Sequence, residues 1–177
     1  MNGTGIVRRL DDLGRIVIPK ELRRTLRLKE GDPIEISRDG ENLFLRKYSP
    51  VDSIKFLAQT VADGIAEQTK KTCLICDTDK VIYGTGTENH NGQTLNQWTV
   101  KFMAERRLVR FTKRTALLPT LFVGEDLTQY NQRTLIPIIN NGDCFGLIAL
   151  SSRGEDVISD QDEKLLQLAV NIISNGI

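Results

Sequence analysis

Residues 1 to 50 of this 177-residue chain cannot build a stable core alone, and nothing else in the sequence restricts the fold so tightly. Ile6 to Leu10 and Arg15 to Ile18 are β-rich stretches joined by Asp11-Asp12-Leu13-Gly14, a turn in which Gly14 can take a positive φ. Pro19 closes the second stretch and suits the first position of a helix, where its missing N–H has no partner to lose. The spacing predicts a helix from Lys20 to about Leu28, with Leu22 and Leu26 on one face and Arg23, Arg24 and Arg27 elsewhere. Glu30-Gly31-Asp32-Pro33 ends it, and Ile34-Glu35-Ile36 and Leu43-Phe44-Leu45 read as a hairpin across Asp39-Gly40. Four short strands and a two-turn helix bury too little apolar surface for an isolated monomer. The three cysteines (Cys73, Cys76, Cys144) and the one histidine (His90) lie outside the segment, so neither a disulfide nor a metal can staple it. Pairing with a second copy is the expected remedy.

Charge divides along the same line. Residues 1 to 50 hold 11 Lys+Arg against 8 Asp+Glu, a net +3, while the remainder nets −2. A basic module joined to a mildly acidic one suits a polyanion partner such as double-stranded DNA, and pairing two copies doubles the local charge. A clustered charge is more often a solvated face, so charge alone makes a weak case.

The run from Gly5 to Arg24, with Gly14-Arg15-Ile16-Val17-Ile18-Pro19-Lys20-Glu21-Leu22-Arg23 at its centre and Gly31-Asp32-Pro33 after it, resembles the AbrB-type swapped-hairpin DNA-binding domain. The resemblance covers residues 1 to about 50. It implies that two chains interleave their hairpins into one small β-barrel and cover one face with arginines. The family's DNA-contacting positions fall on Arg8, Arg15, Arg23 and Arg24, with Arg9 and Lys20 as neighbours. Arginine suits that task because its fork is always charged and matches phosphate oxygens or a narrow minor groove. The same head also occurs in antitoxins that neutralise a toxin partner, but those carry a short, disordered, acidic tail.

Here the tail is long and periodic. After a linker at residues 51 to 53, with Ser53 as a helix cap, Ile54, Leu57, Ala58, Val61, Ala62 and Ile65 recur at helical spacing. Strands are expected at Thr72 to Cys76, Lys80 to Tyr83, Thr120 to Val123, Leu135 to Asn140 and Cys144 to Ser151, the last two joined by an Asn141-Gly142 turn. Gln93 to Arg106 reads as helical, and a final helix starts near Asp160 behind Ser159, with Leu165, Leu168, Ala169, Ile172 and Ile173 as its stripe. This is an α+β domain over residues 54 to 177. Its element order and the pair Leu135 to Ile139 and Gly146 to Leu150 resemble a GAF domain, which implies an unidentified small-molecule ligand, a tetramer assembled through the two long helices, or both.

Other constellations have ordinary readings. Cys73-Leu74-Ile75-Cys76 has metal-ligand spacing but no second pair, so buried core cysteines are expected. Gly84-Thr85-Gly86 lacks the Lys and Ser/Thr of a phosphate loop. His90 has no evident nucleophile or orienting carboxylate, and Trp98, Phe102 and Phe122 read as aromatic packing before they read as a pocket. No catalytic pair, metal site or cofactor motif is legible. The chain is expected to be a cytoplasmic, nucleoid-associated transcription regulator and not an enzyme: it has no secretory or membrane-spanning segment, and its odd cysteine count suits a reducing compartment.

Overall fold

The computed structural model describes residues 5–86, 88–115 and 117–177, and the chain divides into two compact units, Met1–Tyr48 and Ser49–Ile177, here the head and the tail. The first four residues of the expected DNA-binding module lie outside the described residues.

The head contains one short helix and one hairpin. Helix α1 (Lys20–Thr25) is shorter than its apolar spacing suggests. Pro19 sits just before it as the N-cap, and its carbonyl accepts the Arg23 N–H at 2.9 Å. The helix stops because Arg27 turns left-handed, at φ 54°. The Arg27 N–H then reaches the Arg24 carbonyl (3.2 Å) and the Leu28 N–H reaches that of Arg23 (2.7 Å), which closes the end in a Schellman motif. Strands β1 (Ile34–Asp39) and β2 (Asn42–Lys47) pair antiparallel from Ile34 with Lys47 to Asp39 with Asn42. Gly40 holds the first position of their two-residue turn at φ 58°, which a side chain there rarely tolerates.

Ile6 to Leu10 and Arg15 to Ile18, expected as strands, have no strand partner in the single chain. Hydrogen bonds confined to the turn, among them the Asp11 N–H to the Arg15 carbonyl (3.1 Å), join the two stretches among the described residues. A strand exists through its neighbour's hydrogen bonds, and one copy of the head supplies no neighbour here.

The tail is a three-layered α+β unit. Ser49 caps a helical turn, α2 (Pro50–Ser53), by accepting the Asp52 N–H at 3.1 Å, so the cap expected at Ser53 falls four residues earlier. Val51, inside the stretch expected as a linker, is fully buried. Then follow α3 (Lys55–Thr69), β3 (Thr72–Cys76), β4 (Val81–Gly84), α4 (Gln97–Phe102) running into a 3₁₀ turn (Met103–Glu105), β5 (Val109–Thr112), β6 (Tyr130–Asn140), β7 (Asp143–Arg153) and α5 (Asp160–Gly176). The five strands form one antiparallel sheet in the order β4-β3-β7-β6-β5.

Both faces of this sheet are covered, which is why its central strands read as unbroken apolar runs. Cys73, Ile75, Ile136, Ile138, Ile148 and Leu150 meet Ala58, Ala62, Ile65, Leu166, Ala169 and Ile173 of α3 and α5. The alternate residues Leu74, Cys76, Leu135, Leu147 and Ala149 meet Leu95, Phe102, Met103, Leu121 and Phe122. Pro137 is tolerated in β6 because β5 ends opposite Leu135, so no strand asks for its missing N–H. Gly146 is required because a side chain there would run into the Cys76 carbonyl of β3. Asn141 (φ 49°) and Gly142 (φ 85°) make the tight β6–β7 turn. Ser159 and Asp162 cap α5 reciprocally, at 3.2 and 2.8 Å.

Three further expectations change in the tail. Thr120 to Val123 is not a strand: only a bridge between Leu95 and Phe122 forms, and the apolar character serves burial of Leu121 and Phe122 under the sheet. The helix expected from Gln93 begins at Gln97, because Thr94 and Leu95 are taken by bridges and Asn96 caps the start by accepting the Thr99 N–H (2.9 Å). The apolar positions of α5 fall on two faces: Leu166, Ala169 and Ile173 are buried, whereas Leu165, Leu168 and Ile172 stay exposed.

Candidate nucleic-acid interface

The six basic side chains expected to meet DNA sit on three local structures of the head, and all are exposed. Arg8 and Arg9 lie in the irregular stretch before the first turn. Arg15 lies at the end of that turn, and Lys20, Arg23 and Arg24 lie on α1. On α1, Arg23 and Arg24 stand three and four residues after Lys20, so the three side chains are helical neighbours. Arg23 and Arg24 also fall in the last turn, where cations complement the helix dipole. Among the described residues, no ion pair engages Arg8, Arg9, Lys20, Arg23 or Arg24.

Arg15 is the exception. The Asp11 carboxylate accepts the Arg15 N–H (2.7 Å), the Arg15 Nε–H (2.7 Å) and the Leu13 N–H (3.1 Å), and Gly14 completes the turn at φ 74°. The Arg15 N–H, then its guanidinium, hold the Asp11 carboxyl below the usual carboxylate range. The Arg15 side chain remains 70% exposed, so the pair is weak and exchangeable for a phosphate. Asp11 therefore shapes the turn and holds Arg15, the pairing with Asp11, Asp12 or Glu21 that the sequence offers as the ordinary alternative to a DNA contact.

The head has almost no interior. Pro19 is its only buried residue among those described, while thirteen large apolar side chains, including Val7, Leu13, Val17, Leu26, Ile36 and Phe44, are exposed. Such a surface marks an interface.

In the tail, Cys73 and Cys76 face opposite sides of the sheet and cannot share a ligand. Burial pushes the Cys73 thiol up to about 12, and the Cys76 thiol is raised for the same reason. Both stay protonated at neutral pH, as core groups do. Among the described residues, no group of three potential metal ligands converges. Phe102 and Phe122 are core residues, His90 packs its ring against Phe122 at 5.2 Å, and Trp98 stacks on Phe102 at 5.3 Å while remaining 42% exposed. The Thr85 hydroxyl accepts the Cys73 N–H (2.9 Å), a structural role for the Gly84-Thr85-Gly86 turn.

Sequence reasoning missed the pair Arg133–Glu125. Arg133 is 1% exposed on β6, and its two terminal nitrogens donate to the Glu125 carboxylate at 3.0 and 2.7 Å. It also donates to Ser151 Oγ (2.9 Å) and the Pro119 carbonyl (2.8 Å), and Glu125 accepts the Leu121 N–H (2.6 Å). The network ties the segment 119–125 to the sheet. An arginine beside the apolar run from Leu135 is the only trace it leaves in the sequence.

The comparisons with known proteins follow the same division. Residues 53–176 match the family described as "Stage V sporulation protein T C-terminal, transcription factor". Residues 7–53 match the family described as "Antidote-toxin recognition MazE, bacterial antitoxin". Stage V sporulation protein T of Bacillus subtilis (strain 168) is 35% identical over 178 residues, covering 98% of this chain and 97% of that one. The transition state regulatory protein AbrB of the same organism is 58% identical over 50 residues, which are 28% of this chain and 52% of AbrB. Among solved structures, the GAF domain of an Acinetobacter phosphoenolpyruvate-protein phosphotransferase superposes with a TM-score of 0.55 at 18% identity, over 73% of this chain and 82% of that one. A free methionine-R-sulfoxide reductase of Thermoplasma acidophilum gives 0.57 at 12% identity, over 71% and 94%. At such identities the likeness concerns the fold, so the tail has the GAF fold and borrows no chemistry from the reductase. With an AbrB-type head, a GAF-fold tail and near-complete coverage of its relative, the chain belongs to the stage V sporulation protein T family of transcription factors.

Proposed function

We propose that the protein regulates transcription by binding duplex DNA through a dimer of its head, residues 1 to 50, in which two chains interleave into one barrel. The observation that carries this reading is the coreless head: thirteen exposed apolar side chains beside a set of unpaired basic ones. Pairing would hide the first set and double the second. Arg8, Arg15, Arg23 and Arg24 supply the contacts, with Arg9 and Lys20 beside them. Because a barrel and not a recognition helix spaces them, phosphate contacts and groove shape dominate, which gives a loose sequence preference.

Eight such arginines per dimer give a log–log salt slope of about −7. Arg23→Ala and Arg24→Ala each remove two contacts per dimer and flatten that slope by about 2. Affinity for duplex DNA measured across salt tests this, and unchanged binding in both variants overturns the assignment.

For the tail, residues 54 to 177, we infer two linked roles. The exposed face of α3 and α5, with Phe56, Leu165, Leu168 and Ile172, suits a second pair of helices, so that two head dimers join as a tetramer. The GAF fold supports a small-molecule signal, which acts only if it binds two arrangements of the assembly with different affinity. Leu168→Glu should halve the mass of the full chain in light scattering and leave head dimers; an unaltered mass removes this interface. On this reading the protein works in the cytoplasm, on the chromosome.

The match of residues 7–53 to an antitoxin family favours a second reading, neutralisation of a toxin. A structured GAF-fold tail stands where such antitoxins keep a disordered acidic segment. Stoichiometric co-purification of a small toxic partner would establish it.

A further inference from the structure

We propose that the tail carries a DNA-backbone contact surface of its own, formed by Lys101, Arg106, Arg107, Lys113 and Arg114 around the edge strand β5. This surface shares its ligand with the reading above but none of its residues.

The tail's charge is sharply focused. The segment 97–114 holds six basic residues against the single acid Glu105, a net +5, although residues 51 to 177 together net −2. The structure separates one of the six: Arg110 turns to the helix-covered face, where it binds Glu163 (2.8 Å) and Asp160 (3.2 Å) of α5. The other five are exposed. Arg107 shares Glu105 at 3.5 Å, and Lys113 reaches the Thr128 carbonyl at 3.4 Å. Lys101, Arg106 and Arg114 have no ion pair among the described residues.

Four of them bracket one strand: Arg106 and Arg107 precede β5, Lys113 and Arg114 follow it, and β5 is the last strand of the sheet. The extended stretch Val109–Thr112 between them spans about 10 Å, the rise of roughly three phosphates along one DNA strand. Lys101 stands three residues beyond Trp98 on α4, and the Trp98 ring meets Phe111 of β5 edge-on at 5.9 Å. The sole tryptophan of the chain therefore stands beside these cations, half-exposed.

The other outer strand, β4, is partly covered by the segment 92–94, where the Val81 N–H donates to the Gln93 carbonyl (2.9 Å), and is flanked by the mixed set Asp77, Asp79, Lys80 and Glu88, so the cations gather at the β5 edge alone. Five exposed cations against one carboxylate, three of them without an ion pair among the described residues, are complementary to a phosphate backbone, and counterion release registers each contact they make.

The test uses the full chain, a duplex long enough to run past the head's own site, and a salt titration. The neutralising variant R106Q/R107Q/K113Q/R114Q should flatten the log–log salt slope by about 3 to 4 for each tail engaged. On the long duplex the wild-type Trp98 emission should change on binding, and it should still change at low salt in R23A/R24A. An unchanged slope in the tail variant, or no Trp98 response to duplex, overturns the tail surface. A Trp98 response to polyglutamate that equals the response to duplex overturns it in favour of an acidic protein partner. An unchanged slope in R23A/R24A strikes the head assignment instead, so the two failures are distinguishable. Should the fourfold variant lose its circular-dichroism signature, R106Q/R107Q and K113Q/R114Q taken separately carry the test, each with half the change in slope.

Discussion

Head and tail solve the problem of burying apolar surface in opposite ways. In the tail, one antiparallel sheet receives helices α3 and α5 on one face and α4 with the segment 119–125 on the other, so its central strands vanish from solvent within a single chain. The head owns comparable apolar residues but lays them out as an irregular stretch, a six-residue helix and one hairpin, with Pro19 alone hidden among the described residues. The tail has enough residues for connections, such as those between β4 and β5 and between β5 and β6, that bring distant strands together, and the head has too few for that. What one unit achieves by folding, the other must achieve by association. The contrast also separates their electrostatics: the tail buries an ion pair in its interior, while the head keeps nearly all its charge at the surface.

The largest test addresses that buried pair. Arg133→Met leaves the Glu125 carboxylate enclosed and unpaired, and should destabilise the tail by about 3–5 kcal/mol in urea unfolding. Combining it with Glu125→Leu should recover most of the loss, because an apolar pair avoids the desolvation of two charges. A single variant as stable as the wild type would mean that the segment 119–125 is held by its apolar contacts alone.

Next in size is the effect of protein concentration. If the head exists only as a dimer, each tenfold dilution should lower its stability by about 1.4 kcal/mol, while the tail, which has its own core, shifts less. Differential scanning calorimetry over two decades of concentration would show this. A head transition that ignores dilution would break the comparison.

The smallest effect concerns the Asp11 turn. Its folded carboxyl titrates below the ordinary value of about 3.9, so its contribution is present above that pH and is lost as pH falls through the lower, folded value. The amide shifts of Leu13 and Arg15 should titrate together on acidification, and Asp11→Asn should leave both flat between pH 5 and pH 2. Independent titration of the two amides would show that Asp11 does not organise the turn.

Much of the tail's architecture was legible because its signals are local and periodic. The Asn141-Gly142 turn, the Ser159 cap and the strand at Thr72 to Cys76 each depend on a few adjacent residues. The errors share a cause. Thr120 to Val123 was taken for a strand because apolarity reports burial and not pairing. Strand β5 escaped notice because it is only four residues long, and Arg110 within it is placed by a partner on α5 that the local sequence does not show. In the candidate interface the basic residues could be read from the motif, whereas the grip of Asp11 on Arg15 became visible only in the folded turn.

The sequence by itself argued for a partner of the head, since fifty residues with no cysteine or histidine make a poor core, and its motif pointed to the arginines proposed for DNA. It also marked the head as AbrB-type, because the Gly14-to-Arg24 motif is dense in residues that its turn and helix start require. Only the tertiary structure decided which residues of α5 turn inward, that Cys73 and Cys76 part company across a sheet, and that Arg133 is neutralised in the interior while Arg106 and Arg114 are left on the surface. Local chemistry is written in neighbouring residues. Which charges find partners depends on segments that meet only when the sheet is assembled.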